Sequence, residues 1–361
     1  MKRVFISDCE GPISKNDNAY ELTAHFVPDG DKLFTLVSKY DDVLADVLKR
    51  PGYNAGDTLK LILPFLKAYG ATDKQMHEFS AGSLVLVANS VDTLRHVLTV
   101  AEAFIVSTSY EHYVKAVCEA TGFPFRNVYC TRVSIDQYAV TAQEKAKLKE
   151  LAKETTQMPM ISFPTGAESL SAFSSRDQAT IRRLDEIFWK EVSTMNIGRI
   201  FTEVTAVGGY QKAEAVKDIA TKLRLSLEDV MYVGDSITDV EAFKLVRENS
   251  GLTVSFNGNG YAVKNAEVAV LSENNTVTAV IADVFCRHGK HVALQLVENW
   301  NFQSLQRNAL VSLPLLDHLF SLYPAELPKV QIVTPENMET LAQESSEFRK
   351  KVRGEAIGRL G

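Results

Sequence analysis

Two acidic turns, each closing a short apolar run, constrain this chain more than any other feature. The run Val4-Phe5-Ile6-Ser7 stops at Asp8-Cys9-Glu10-Gly11-Pro12, and a second run ends in Val233-Gly234-Asp235-Ser236-Ile237-Thr238-Asp239. An apolar run that meets an acid and then a glycine reads as a buried parallel strand that delivers carboxylates to the carboxyl edge of a sheet. Open α/β sheets place their chemistry at that edge. Two such strand ends bring Asp8 and Asp235 together, and two carboxylates at contact distance need a cation between them.

The rest of the sequence fits a multi-part soluble protein. At 361 residues the chain is too long for one ordinary core. Its 45% hydrophobic and 23% charged shares are those of a globular domain, and a net charge of -6 argues against a broad nucleic-acid-binding face. An acidic protein still binds a phosphorylated substrate when a metal and a few local cations set the field. Cys9, Cys118, Cys130 and Cys286 show no metal-binding spacing and are expected reduced and buried. The chain enters a strand at once and has no apolar stretch of about 20 residues, so a cytoplasmic protein with no membrane contact is expected.

Along the chain, strands are expected at 3–7, 103–106, 128–135, 230–233, 252–256 and 268–271, with a β-rich piece at 200–207. Between the first two lie mostly helical residues, 16–98, a plausible cap. Residues 142–195 interrupt the core pattern with two helices and a hydroxyl-rich loop, and form a second lid or pack away from the site. The core is then 1–15, 99–141 and 196–286. Residues 287–361 read as a helical extension without a chemical motif, its charge-rich end from Glu336 an exposed helix or frayed tail.

Each candidate site residue has a plainer reading beside it. Asp8 alone could cap a turn. Glu10, two positions on in an extended segment, returns to the same side as Asp8, where it could protonate a leaving oxygen. Ser107 ends the strand Phe104-Ile105-Val106 and suits a phosphate oxygen; Thr108 is the fallback, and Ser109 fits a helix cap better. Lys212 follows Gly208-Gly209 at a helix start, where the dipole disfavours a cation, which hints at a reason for its place; Lys217 and Lys222 lack that lead-in. Asp235 and Asp239 lie on one face of the turn that follows their strand, and a helix cap accounts for only one of them. Lys15 or Asn18, in the polar hinge Ser14–Asn18, and Asn257 after a later strand could reach substrate, though a hinge and a turn explain them nearly as well.

In this order, Asp8-x-Glu10, Ser107, Lys212 and Gly234-Asp235-x-x-x-Asp239 resemble the motifs of the haloacid dehalogenase superfamily of phosphohydrolases, nearest an archaeal-type branch beside phosphoserine phosphatase. The resemblance covers about half the chain: 3–15, 100–135 and 200–285. It implies an α/β, doubly wound, Rossmann-like parallel-sheet core with a helical cap, and a Mg2+-dependent phosphatase acting on a small phosphorylated metabolite. It implies Asp8 as nucleophile, giving an aspartyl-phosphate, and Glu10 as general acid and base. Ser107, Lys212 and Asn257 would hold the phosphate, and Asp8, the Glu10 carbonyl, Asp235 and Asp239 the metal, Asp239 through water or by orienting Lys212. The chain departs from the usual second Asp by carrying Glu10. That departure and the unassigned C-terminal part motivate an alternative, a catalytically weak structural or regulatory subunit. A receiver-like phospho-switch is opposed by the nucleophile's place on the first strand, and dehalogenation by the second acid and the metal-binding pair.

Overall fold

The computed structural model describes residues 2–164, 166–307, 309–358 and 360. Seven strands form one sheet: β1 (Val4–Ser7), β2 (Glu102–Tyr110), β3 (Val128–Thr131), β4 (Val230–Gly234), β5 (Leu252–Phe256), β6 (Val268–Leu271) and β7 (Lys329–Ile332). Their order is β3-β2-β1-β4-β5-β6-β7, parallel except for the β6–β7 pair. All four residues of β1 and all five of β4 are buried, as strands covered on both faces must be. Strand order runs outward in opposite directions from β1 and β4, so their carboxyl ends open onto the crevice where the topology reverses. Ile6 pairs with Tyr232 in that register and Ser7 with Val233, which sets the two acidic turns side by side.

Two large apolar clusters divide the molecule differently from the expected boundaries. The first joins Leu22, Val37 and Phe65 of the early helices to Leu151, Leu184 and Phe188 of the 142–195 insertion. The early helices and the 142–195 insertion therefore share one apolar core. The second cluster covers the sheet, and it includes Leu94 and Val97 of helix Ser90–Val100 together with Leu296, Leu316 and Leu319 of the C-terminal part. Helix Ser90–Val100 thus belongs to the core side, because its apolar stripe faces helix Thr276–His288.

Other local expectations are corrected by packing. Residues 200–207 form no strand: Ile200–Glu203 is a short helix whose Ile200 and Phe201 are buried in the cap cluster, where packing overrides β propensity. The strand expected to reach Ile135 stops at Thr131. The C-terminal part is not helical throughout, since Lys329–Ile332 adds an antiparallel edge strand, Val330 opposite Val270. Nor is helix Met338–Arg353 frayed: it seats Leu341 and Ala342 against Val263, Ala269 and Val333, and Ser345 donates to the Gly258 carbonyl at 2.6 Å. Among the described residues no helix is long and apolar enough to cross a membrane.

Candidate active site

The site is assembled from the carboxyl ends of β1, β2 and β4. The Asp8 backbone N–H donates to the Val233 carbonyl at 2.8 Å, which extends the β1–β4 ladder by one residue and fixes where the Asp8 side chain emerges. The turn that follows lies almost on top of Asp235. Gly11 has φ +97°, and a Cβ there would meet the Asp235 carboxylate at 2.1 Å. Only glycine permits both the backbone conformation and the approach.

Behind Asp8 stands Lys212, fully buried at the first turn of helix Tyr210–Leu223. Its ammonium donates to Asp8 Oδ2 at 2.5 Å and to Asp239 Oδ1 at 2.7 Å. Burial alone would push this lysine toward neutrality; Asp239 and Asp8 outweigh it and hold it above its ordinary value. Lys217 and Lys222 are exposed and paired with Glu214 and Asp218 instead. The remaining capacity of Asp239 is spent on the backbone. Its Oδ1 also accepts from the Tyr232 hydroxyl at 2.7 Å, and its Oδ2 from the N–H groups of Asp235 and Ser236 at 2.9 and 3.0 Å. Asp239 therefore positions Lys212 and the Asp235 turn and has no oxygen left over for an ion.

One carboxylate oxygen from each of Asp8, Asp235 and Asp239 lies within 4.8 Å of the others, all three residues buried. Burial raises the Asp8 carboxyl to about 7 against the pull of Lys212, with the charges of Asp239 and Asp235 adding to the rise. Asp8 and Asp235 supply hard oxygen donors in a pocket that disfavours bare negative charge. That donor set fits a divalent cation of the Mg2+ class.

A cavity of about 100 Å³ opens over these acids. Its floor includes Asp8, Glu10, Ser107, Thr108 and Asp235, and its cap side includes Asp17, Phe34, Ser38, Asp41 and Asp42. Glu10 Oε1 accepts from the Asn18 N–H at 2.7 Å, at the start of helix Asn18–Phe26. Burial, then the charge of Asp17, keeps the Glu10 carboxyl well above its usual range. Ser107 accepts from the Ser109 N–H at 3.2 Å and donates to its hydroxyl, so Ser109 does not cap the next helix. The Thr108 hydroxyl is buried and makes no hydrogen bond. Of the two it is the one with capacity to spare.

Three sequence-derived contacts do not form. Asn257, at φ +50°, donates to the Ser272 carbonyl at 2.7 Å and accepts from the Ser272 N–H at 2.9 Å. Its amide closes a turn and does not line the cavity. Asn18 is fully buried and its amide pairs with Ser80, while Lys15 lines a separate groove. The segment Ser14–Asn18 is no loose hinge: the Lys15 N–H donates to the Val85 carbonyl and the Val85 N–H to Asn16 Oδ1, both at 2.8 Å.

Two residues that sequence reasoning passed over are Arg349 and Arg353, on helix Met338–Arg353. Both guanidinium groups donate to Asp235 Oδ2, Arg353 at 3.0 Å. Arg353 also donates to the Lys15 carbonyl at 2.9 Å and to the Asn16 carbonyl. Arg349 reaches the Leu360 carbonyl at 3.4 Å, and Leu360 itself is buried in the cap cluster. The available signal was the recurrence of Leu341, Ser345 and Arg349 at helical spacing.

The full chain superposes on 99% of the structure of gene product AF1437 from Archaeoglobus fulgidus, with a TM-score of 0.81 and 25% identity. A substrate-bound phosphoserine phosphatase complex matches 76% of this chain and 95% of its own at 12% identity and a TM-score of 0.44. No curated protein matches the sequence. Residues 59–283 match the haloacid dehalogenase-like hydrolase family, and the chain belongs to that family.

Proposed function

We propose that this protein is a Mg2+-dependent phosphatase that hydrolyses a small phosphomonoester through an aspartyl-phosphate on Asp8. The observation that carries the reading is the buried chain Asp239–Lys212–Asp8 set beside Asp235 at the β1–β4 junction. A divalent cation held by Asp8, Asp235 and the Glu10 carbonyl would neutralise the phosphoryl oxygens. Asp8 attacks phosphorus, and the bond to the leaving oxygen breaks as the Glu10 carboxyl gives that oxygen its proton. Water then attacks the same phosphorus, Glu10 takes the water's proton, and phosphate departs with the Asp8 carboxylate restored. The raised Glu10 carboxyl supplies the protonated form that the first step needs. Lys212 keeps Asp8 oriented, and Ser107 and Thr108 face the phosphoryl oxygens.

The small cavity and the cap wall over it support a small substrate and exclusion of bulk water. Soluble phosphorylated metabolites of the cytoplasm are the substrate class that fits, with neither nucleic acid nor membrane as partner. The test is phosphate release from a metabolite panel with Mg2+. Asp8→Asn should abolish release while the far-UV spectrum stays that of the wild type. Glu10→Gln should keep Mg2+ binding and lose turnover by ~10²–10⁴-fold, less for aryl phosphates whose leaving groups need little protonation. Wild-type turnover by Asp8→Asn would refute the nucleophile. A blank panel would favour the structural-subunit alternative.

A further inference from the structure

More positive charge faces Asp235 than the family region supplies. The match ends at residue 283, yet Asp235 is held by Arg349 and Arg353 from the last long helix. Their side chains are only 4% exposed. Both line the active-site cavity, and Arg349 Nε is buried without a hydrogen bond. A cation arriving at Asp8 and Asp235 would sit against two guanidinium groups that cannot shed their charge. Two roles are open to arginines so placed. Holding a ligand carboxylate in position contributes roughly 10–100-fold to metal affinity. Repulsion between a dication and a guanidinium a few ångströms away exceeds roughly 1000-fold, even at an effective dielectric near 20. Repulsion therefore wins, unless an anion enters with the cation. Asp17, Asp41 and Asp42 line the same cavity, but Asp235 is the acid that both guanidinium groups hold.

We propose that Arg349 and Arg353 make cation binding at this site conditional on a phosphoryl anion. Without the anion the arginines keep Asp235. When both ligands enter, the cation takes Asp235 and the guanidinium groups turn to the phosphoryl oxygens, for which Arg has the matching fork of donors. This rests on the phosphatase reading and adds specificity for a doubly charged phosphoryl group over a neutral or singly charged ester. By linkage, the cation must strengthen anion binding by the same factor.

The test is calorimetric titration of the full chain with Mg2+, with and without inorganic phosphate. In the wild type, saturating phosphate should tighten Mg2+ by ~10-fold or more, within the usual range of coupling between sites. The double variant Arg349→Met/Arg353→Met should bind Mg2+ ~10-fold tighter than wild type in the absence of phosphate, with most of the coupling lost. Arg353→Lys, which keeps the charge, should retain coupling. Equal or weaker Mg2+ binding by the double variant, with the phosphate effect intact, overturns the proposal. Should the double variant fail to fold, Arg349→Gln serves alone and must lower the coupling; a wild type without coupling also overturns the proposal. Asp8→Asn separates the two readings. If it binds Mg2+ like the wild type, the metal site itself is wrong. If it loses Mg2+ while the arginine variants leave coupling unchanged, only this inference falls.

Discussion

Lys212 on one side of the acid cluster and the Arg349–Arg353 pair on the other both bring positive charge to buried carboxylates, but they are built differently. Lys212 has no exposed surface and is clamped between Asp8 and Asp239, while Asp239 is itself pinned by Tyr232 and two backbone N–H groups. All of these partners lie within two short motifs and one helix start. The arginines come from a helix with a solvent-facing side, reach across the fold, and share their donors with the carbonyls of Lys15, Asn16 and Leu360. The first arrangement is a fixed part of the site. The second reaches the site from a distant helix, and on the proposal above its contacts are exchanged when cation and anion enter. Position in the fold, more than charge, separates a cation that builds a site from one that guards it.

Removing the fixed cation should have the largest effect. Lys212→Met leaves Asp8 and Asp239 buried without their counter-charge, and breaking such a pair costs about 3–5 kcal/mol. Urea denaturation should show that loss, whereas Arg353→Met should cost clearly less. Equal losses would erase the distinction between the two arrangements.

Asp41 sharpens the contrast, because it is a buried cavity acid that no cation among the described residues pairs with. It accepts from the Tyr53 hydroxyl at 2.6 Å and from the N–H groups of Gly56 and Thr58 at 2.9 and 3.1 Å. Burial nevertheless raises its carboxyl to about 7. The folded state thus binds this proton more tightly than the unfolded chain, whose Asp titrates near ~4. Its contribution to stability is full below that value, falls as pH rises to about 7, and is flat above. Asp41→Asn should flatten the stability–pH curve in that window by about 2–4 kcal/mol across it. An unchanged slope in thermal melts from pH 4 to 7 would count against a protonated Asp41.

The smallest effect concerns the support of the fixed side. Tyr232→Phe deletes one hydrogen bond to Asp239, and a loss of about 1 kcal/mol is expected by urea denaturation. A loss as large as that of Lys212→Met would mean that Tyr232, rather than Lys212, anchors Asp239.

What could be read from the sequence follows the same division. Asp8, Lys212, Asp235 and Asp239 were legible because each stands where a buried strand or a helix start meets a glycine, so local pattern and site position coincide. Asn257 also follows a strand, but its left-handed backbone turn spends the amide locally, and nothing in the neighbouring residues announces that. Arg349 and Arg353 were hidden for the opposite reason. The stripe Leu341, Ser345, Arg349 is half polar and lies among charged residues, so its periodicity resembles a solvated helix; only its docking on Gly258 and Asp235 gives it meaning. The strand Lys329–Ile332 was missed because four residues are too few for their alternation to stand out. The union of cap and insertion depends on contacts such as Phe65 with Phe188, which no local window contains.

The seat of Leu360 in the cap cluster has a consequence for the order in which the protein is made. The first site residue is made long before the last. At ~5–20 residues per second, roughly 20–70 s of synthesis separate Asp8 from Arg353. A nascent chain long enough to pair β1 to β6 already has Asp8, Lys212 and Asp235 in register, while Asp235 still lacks both guanidinium partners and the cap still lacks Leu360. Assembly of the site is therefore vectorial, with its acids in place before its cationic cover is added.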